Sequence, residues 1–350
     1  MKNKLVTERK RFMSTKKGVL ELLESQRGKS ISGESIAKQL HVTRNAVWKA
    51  IKELEKDGYK IQATTNKGYR LSDDNDILSV EGMLPFLSNR EVSHKIMIHS
   101  SLESTNTTAK ELAIAGANHG TIVIADYQSA GRGRFNRSFY SPAGQGIYMS
   151  FILRPSKHNL IHNPTLVTSF AAVTVCKAIE ATTGKSPQIK WVNDVFLDRK
   201  KICGILTEAV TDFETGSMQW IVLGVGINFT TSDSSFPEEI ENTAGAVFSN
   251  SKPTITRNYL ISELINGILD FEDDWGSEKV LGEYKERLFI LGEKVTITKS
   301  NGSSFDAVAV DINHTGRLVV KKECGEILSL STGEVSLHLN SLQLNSLQTS

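Results

Sequence analysis

The sequence predicts an α+β chain of several domains, and three observations predict it. The first 71 residues hold three short amphipathic runs and a hairpin pattern, with 17 Lys and Arg against 7 Asp and Glu. A central stretch, Asp126 to Gly146, sets four glycines and three arginines between two apolar, β-branched runs. From Leu291 onward, short β-rich runs alternate with Gly and Asn turns. A chain of 350 residues is long enough for two or three domains.

Residues 1–8 are expected to fray. Lys10 to Ser25 reads as a helix with Val19, Leu20, Leu22 and Leu23 on its apolar face and Gly28 beyond its end. Ser32 is placed to cap a second helix that ends at Leu40, and Thr43 a third over 44–57, ended by Gly58. In the third helix Ala46, Val47, Ala50, Ile51 and Leu54 form the buried stripe, while Arg44, Asn45, Trp48, Lys49 and Lys52 lie largely opposite. Tyr59 to Ala63, the turn Thr65 to Gly68, and Tyr69 to Leu71 then make a β-hairpin with Lys67 at its tip. Helix, helix, turn, helix and hairpin form a winged helix-turn-helix, whose third helix would enter a major groove and whose wing would touch phosphate. The first 71 residues carry a net +10 and the remainder a net −8, so the basic charge points to nucleic acid for this part alone. A basic protein-interaction module is the competing reading.

Ser72 to Asp76 reads as an acidic linker, giving domains at 1–72, 77–288 and 289–340 and a disordered tail at 341–350. Lys95 to His99 is expected to be a strand leading into Ser104-Thr-Asn106 at a helix start. One of these residues suffices as an N-cap, and three are present. Thr121 to Ile124 and Ile147 to Leu153 are the strands that bracket the glycine–arginine loop. Glycine lets backbone approach a ligand closely, and arginine offers a permanent charge and a planar donor fork for carboxylate or phosphate. Gly131, Gly133, Gly144 and Gly146 with Arg132, Arg134 and Arg137 therefore read as a mobile cationic loop that admits an anionic reactant and closes over it. A solvated hairpin is the plainer reading, but three arginines repel one another without an anion. The loop matches neither a Walker nor a Rossmann fingerprint.

Asn163 to Thr183 reads as a long helix stopped by Gly184, followed by strands at 188–194, 201–210 and 220–229. Arg257 to Trp275 and Ser277 to Leu288 read as helices. Five β runs close the chain, at 294–299, 304–310, 317–322, 327–330 and 335–339, and suggest a small SH3-like barrel.

Four blocks carry a family resemblance. Gly131-Arg-Gly-Arg134 with Arg137 and Ser141-Pro-x-Gly-x-Gly-x-Tyr-x-Ser150 resembles the signature loop of biotin protein ligases. Ser104-Thr-Asn106 and Gln128 resemble that family's biotin pocket. Lys190-Trp-Val-Asn-Asp194 resembles Lys-Trp-Pro-Asn-Asp, with Val192 as a departure expected to change backbone locally without loss of chemistry. Lys201-Ile-Cys-Gly-Ile-Leu-Thr-Glu208 resembles the strand that carries the family's essential lysine, with Lys200 its exposed neighbour. The first 71 residues resemble the DNA-binding domain of ligases that double as biotin-operon repressors.

The resemblance implies a class II synthetase-like α/β ligase domain between the winged helix and the SH3-like domain. It implies that biotin and ATP form biotinyl-5′-adenylate, and that a lysine of a biotin carboxyl carrier protein then takes the biotin. Lys201, Arg132, Arg134 and Asp194 are the expected catalytic residues, with Asp194 a candidate Mg²⁺ ligand. Ser104, Thr105, Asn106, Gln128, Arg132, Gly133, Arg134, Lys201 and Gly204 are expected around biotin. Arg134, Arg137, Phe139, Lys190, Asn193 and Asn228 are expected around ATP or the adenylate. Arg44, Asn45, Trp48, Lys49, Lys52 and Lys67 are expected on operator DNA, bound by an adenylate-loaded homodimer. Phe135-Asn136 departs from the family's basic-Gly pair and is expected to stiffen the loop. Phe139 stands where tryptophan is common and keeps an aromatic face for adenine.

The three cysteines fit neither a zinc pattern nor a disulfide framework and read as buried residues of a reduced cytoplasmic protein. No apolar run reaches the ~20 residues of a membrane span. A sensor-only repressor without turnover and a lipoate-type acyl ligase are the alternatives.

Overall fold

The computed structural model describes residues 14–337 except 66, 156–162, 212–213, 215–217, 232–235, 250, 270–276, 300–301 and 332. The expected fraying of 1–8 and the tail at 341–350 lie outside the described residues. The chain divides into two compact units: the residues up to Ile98 with Ile255–Ile265, and His99–Thr254 with Asn266 onward.

In the first unit, helices α1 (Thr15–Ser25), α2 (Gly33–Leu40) and α3 (Arg44–Lys56) precede strands β1 (Ile61–Thr64) and β2 (Gly68–Leu71). Ser32 accepts the Ser35 N–H at 3.0 Å and Thr43 the Ala46 N–H at 3.2 Å, so both predicted caps form. Val19, Leu23, Ile36, Val47, Ile51, Leu54 and Leu71 make the core, as the helical spacing requires. Ile31 exchanges two backbone hydrogen bonds with Tyr69. Gly68, at φ +97°, lies so close to the Ile31 backbone that a Cβ there would collide with it.

The predicted linker is instead anchored. Asn75 is 3% exposed and bonds both the N–H and the carbonyl of Lys60. Arg27 donates to the Asn75 carbonyl at 2.9 Å. Asp76 accepts from the Arg257 N–H at 2.8 Å and its Nε at 2.7 Å. The acidic stretch reads as a linker in sequence, but Asp76 staples a segment 181 residues downstream into the same unit. After α4 (Val80–Met83), strand β3 forms at Ile96–His99, one residue shorter than expected.

The second unit carries α5 (Thr105–Ile114), β4 (Thr121–Ala125), β5 (Gly146–Leu153), α6 (Pro164–Thr183), β6 (Gln188–Lys190), β7 (Asp194–Leu197), β8 (Lys200–Thr211) and β9 (Met218–Asn228). Its strands lie in the order β4-β5-β9-β8-β7-β6, each pair antiparallel. The strand expected over 188–194 breaks into two, because 191–193 turn and the Trp191–Val192 peptide is cis. Successive residues of β8 point to opposite faces. The Thr207 hydroxyl meets Thr168 of α6 at 2.7 Å, while the Glu208 carboxylate meets α5. The two helices therefore cover opposite faces of the sheet.

By length and composition α6 could cross a membrane, contrary to the sequence expectation. Its apolar residues, Val167 to Ile179, are buried within the unit, which makes it a core helix. Asn163 caps it and Gly184, at φ +69°, ends it. Cys176 and Cys203 are buried as expected, and burial pushes the Cys176 thiol up to about 12. Cys324 is exposed, against expectation.

Helices α7 (Glu238–Glu241), α8 (Arg257–Leu269) and α9 (Glu278–Arg287) follow. The residues expected to extend α8 toward Trp275 lie outside the described set. Strands β10 (Lys294–Thr298), β11 (Ser304–Ile312), β12 (Leu318–Lys321), β13 (Ile327–Leu330) and β14 (Glu334–Leu337) form one antiparallel sheet, ordered β13-β12-β11-β10-β14. Val295 and Ile297 alternate inward from β10, and Ala307, paired with Val295, and Ala309 are buried on β11.

Arg257 is 3% exposed, so its replacement leaves Asp76 without its main counter-charge. Arg257→Met is expected to lower stability by about 3 kcal/mol, seen as an earlier urea midpoint in equilibrium unfolding.

Candidate functional site

One cavity gathers residues from six separate segments of the second unit. The start of α5 brings Ser104, Thr105 and Asn106. The glycine–arginine loop brings Gln128, Arg132, Gly133, Arg134, Arg137 and Phe139. The β6–β7 turn brings Lys190, Trp191, Asn193 and Asp194. Strand β8 brings Lys201 and Gly204, and β9 brings Gly224 and Gly226. The C-terminal sheet adds Gly333, Glu334 and Val335.

Ser104 occupies the N-cap position of α5 but makes no side-chain cap bond. Gln128 supplies the cap: its Oε1 accepts the Thr105 N–H at 2.8 Å, and its Nε2 donates to Ser141 Oγ at 2.9 Å. The hydroxyl cluster is thereby released from the capping role. Ser104, Thr105 and Asn106 are all less than 7% exposed, so this end of the cavity is a polar head pocket held inside the fold.

The other end is cationic. Lys201 Nζ lies 2.7 Å from Asp194 Oδ1. Arg134 donates to Asn193 Oδ1 at 3.1 Å, and Asn193 donates to the Ile205 carbonyl at 2.9 Å. Arg132 lies 3.2 Å from Glu103. Arg137 forks onto both oxygens of Glu334, at 2.8 and 2.6 Å. Burial lowers the basicity of Arg134 and Lys190, partly offset by Asp194. The fork from Arg137 holds the Glu334 carboxyl below the usual range.

Between the two ends lies a flat platform. Gly204 of β8 pairs with Gly226 of β9, and the Phe139 ring lies over both. A Cβ on Gly226 would sit 2.8 Å from that ring, so glycine is needed for the close approach. Phe135 and Asn136 both adopt φ of +56°, a left-handed conformation that suits glycine and tolerates asparagine. The Arg134 guanidinium sits 4.9 Å from the centre of the Phe135 ring, a cation–π contact that offsets part of the strain.

Asn228 is the one expected cavity residue placed elsewhere. Its amide donates to the Gly245 carbonyl at 2.9 Å, and it does not line the cavity. Asparagine at a strand end was legible, but the loop it ties down was not. Lys200 is outside as expected, donating to the Glu241 carbonyl at 3.2 Å. Glu334 was missed, because no local pattern marks a residue brought in from the C-terminal sheet. Ser150 and Glu208 stood inside the quoted motifs without a role, yet they organise the head pocket. Among the described residues no group of three His, Cys, Asp or Glu is placed to hold a metal. Mg²⁺ can be held by one or two carboxylates when phosphates and water complete its shell, and Asp194 is a carboxylate of this cavity.

In the first unit, Arg44, Asn45, Trp48, Lys49 and Lys52 line the exposed face of α3, with Trp48 half exposed, and Lys67 is exposed on the wing. Lys52 is paired to Glu55 at 2.7 Å.

Residues 98–228 match the model of the Biotin/lipoate A/B protein ligase family, 16–70 an HTH domain, and 290–338 the Biotin protein ligase C terminal domain. The Bifunctional ligase/repressor BirA of Bacillus subtilis is 38% identical over 250 residues, 71% of this chain and 76% of that protein. The Escherichia coli protein of the same name is 26% identical over 316 residues, 89% and 94% of the two chains. A biotin protein ligase of Aquifex aeolicus, solved in complex with biotin and ATP, superposes with a TM-score of 0.59 at 25% identity, covering 70% of this chain and 99% of that one. With its glycine–arginine loop, its Lys201 strand and its flanking domains all matched in order, the chain belongs to the biotin protein ligase family.

Proposed function

We propose that this protein activates biotin with ATP and transfers it to a lysine of a biotin carboxyl carrier domain, and that it also represses transcription at an operator. The observation that carries the reading is the pairing, within one cavity, of a buried polar head pocket with a cationic end. Biotin has the matching shape: a neutral urea head and a carboxylate tail.

In the first half-reaction a biotin carboxylate oxygen attacks the α-phosphorus of ATP and pyrophosphate leaves. Two anions must meet, so charge neutralisation is the main task. Lys201 is the group for the carboxylate and α-phosphate. Arg134, already half-desolvated, is aimed at the same space by Asn193, and Arg132 and Arg137 complete the positive rim. Asp194 would hold Mg²⁺, which supplies further charge on the phosphates. Phe139, which lies on the Gly204–Gly226 platform and lines the cavity, offers an aromatic face on which adenine can stack. In the second half-reaction the carrier's lysine amine attacks the carbonyl of the mixed anhydride and AMP leaves. The loop keeps water from that carbonyl until the carrier arrives. No enzyme nucleophile is required.

The exposed basic face of α3 and the wing supply the DNA contacts, with Arg44, Asn45 and Lys49 toward bases and Lys67 toward phosphate. We assign the bound form to an adenylate-loaded homodimer and the site of action to the cytoplasm.

Biotin-dependent ATP–pyrophosphate exchange on the purified protein tests the first step. Exchange is expected to require biotin and to fall at least 100-fold in Lys201→Ala. Biotin binding without exchange would favour a sensor-only repressor. Arg134→Gly is expected to speed adenylate release on the order of tenfold, measured by trapping released biotinyl-5′-AMP; an unchanged rate would remove Arg134 from the retaining loop. In a titration of operator DNA, Lys67→Ala should weaken binding evenly and reduce the log–log salt slope by about one. Lys49→Ala should instead cut discrimination against non-operator DNA about tenfold.

A further inference from the structure

Behind the head pocket lies a relay of hydrogen bonds that ends on a carboxylate outside the cavity. Glu208 Oε2 accepts from Asn106 Nδ2 at 2.9 Å, and Oε1 accepts from Lys110 Nζ at 2.9 Å. Asn106 and Lys110 are four residues apart on α5, so one helix face presents amide and ammonium to the same carboxylate. Neither Glu208 nor Lys110 lines the cavity.

The chemistry of that carboxylate propagates inward. An ionised carboxylate only accepts. Asn106 must therefore turn its NH₂ toward Glu208, and the second amide proton reaches the Leu206 carbonyl at 3.3 Å. Its oxygen then faces Ser150 Oγ at 2.6 Å, seated over Gly224, where a Cβ would collide with it. Ser150 Oγ is also 2.8 Å from Thr105 Oγ1. The Ser150 hydroxyl is the donor toward both Asn106 Oδ1 and Thr105 Oγ1, and its one proton is divided between them. Asn106, which lines the cavity, therefore presents its oxygen there as an acceptor, fixed in that orientation by Glu208.

We infer that Glu208, clamped by Lys110, is a specificity-determining positioning residue: it sets the hydrogen-bond polarity of the head pocket without touching the ligand. The pocket so set takes a head that donates N–H, as the urea of biotin does, and this rests on the biotin reading above. A head that offers only an acceptor opposite Asn106 would set buried lone pairs against its oxygen, which is costly.

Glu208→Gln tests the relay. Glutamine can donate to Asn106, which frees the amide to reverse and present its NH₂ to the pocket. The KM for biotin in pyrophosphate exchange is expected to rise about tenfold, with kcat and the KM for ATP within about twofold of wild type. In an Asn106→Ala background, which removes the amide that Glu208 orients, the same substitution should add little further effect. Lys110→Met keeps the carboxylate and removes only its clamp, and should give a smaller rise in the same direction; it serves if Glu208→Gln does not fold. A biotin KM within twofold of wild type in Glu208→Gln, or independent multiplication of its effect with that of Asn106→Ala, would overturn the inference while leaving the ligase reading intact. A wild-type protein that does not bind biotin would overturn that reading, and this inference with it.

Discussion

Positive charge gathered in a partly desolvated cavity is the constraint on which the rest of the second unit depends. Arg132, Arg134, Arg137, Lys190 and Lys201 line one space, and like charges in a medium of reduced dielectric repel strongly. Three of them have carboxylates of their own: Glu103 for Arg132, Glu334 for Arg137 and Asp194 for Lys201. Arg134 has the Asn193 amide and the Phe135 ring beside it, with the charges of Asp194 and Glu334 farther off, and burial lowers its basicity.

The partners come from different parts of the chain, which is why the fold must be closed before the site exists. Glu334 sits on β14 of the C-terminal sheet, and Arg137 on the loop between β4 and β5. Their bidentate fork ties that loop to a domain that would otherwise look separate in sequence. The exposed geometry makes the pair a weak source of stability. Its consequence is positional, since it fixes where the loop lies when the cavity is formed.

The two ends of the cavity use different physics for the same purpose. At the cationic end long-range charge neutralises an anion. At the head pocket the groups are neutral, and specificity depends on which partner holds each proton. Burial makes that choice costly to get wrong, because an unpaired polar atom there has no water to turn to. The glycines of β8 and β9 serve both ends: Gly204 and Gly226 let Phe139 lie on the sheet, and Gly224 leaves room for the Asn106 oxygen.

The winged helix, the strands around the loop, the long helix and the five C-terminal strands were legible in sequence, because apolar period, caps and turn residues are local. So were most cavity residues, through the motifs at Ser104, Gly131, Lys190 and Lys201. Tertiary structure decided what locality cannot encode. It stapled Arg257 to Asp76 in place of a linker, broke the 188–194 strand into a turn at the site, and turned Asn228 away to the Gly245 carbonyl. It brought in Glu334, and it set Glu208 to accept from Asn106 and Ser150 to donate to it. In each case the deciding partner is distant in the chain, and a side chain's residue type states what it can bond but not which group will stand opposite it.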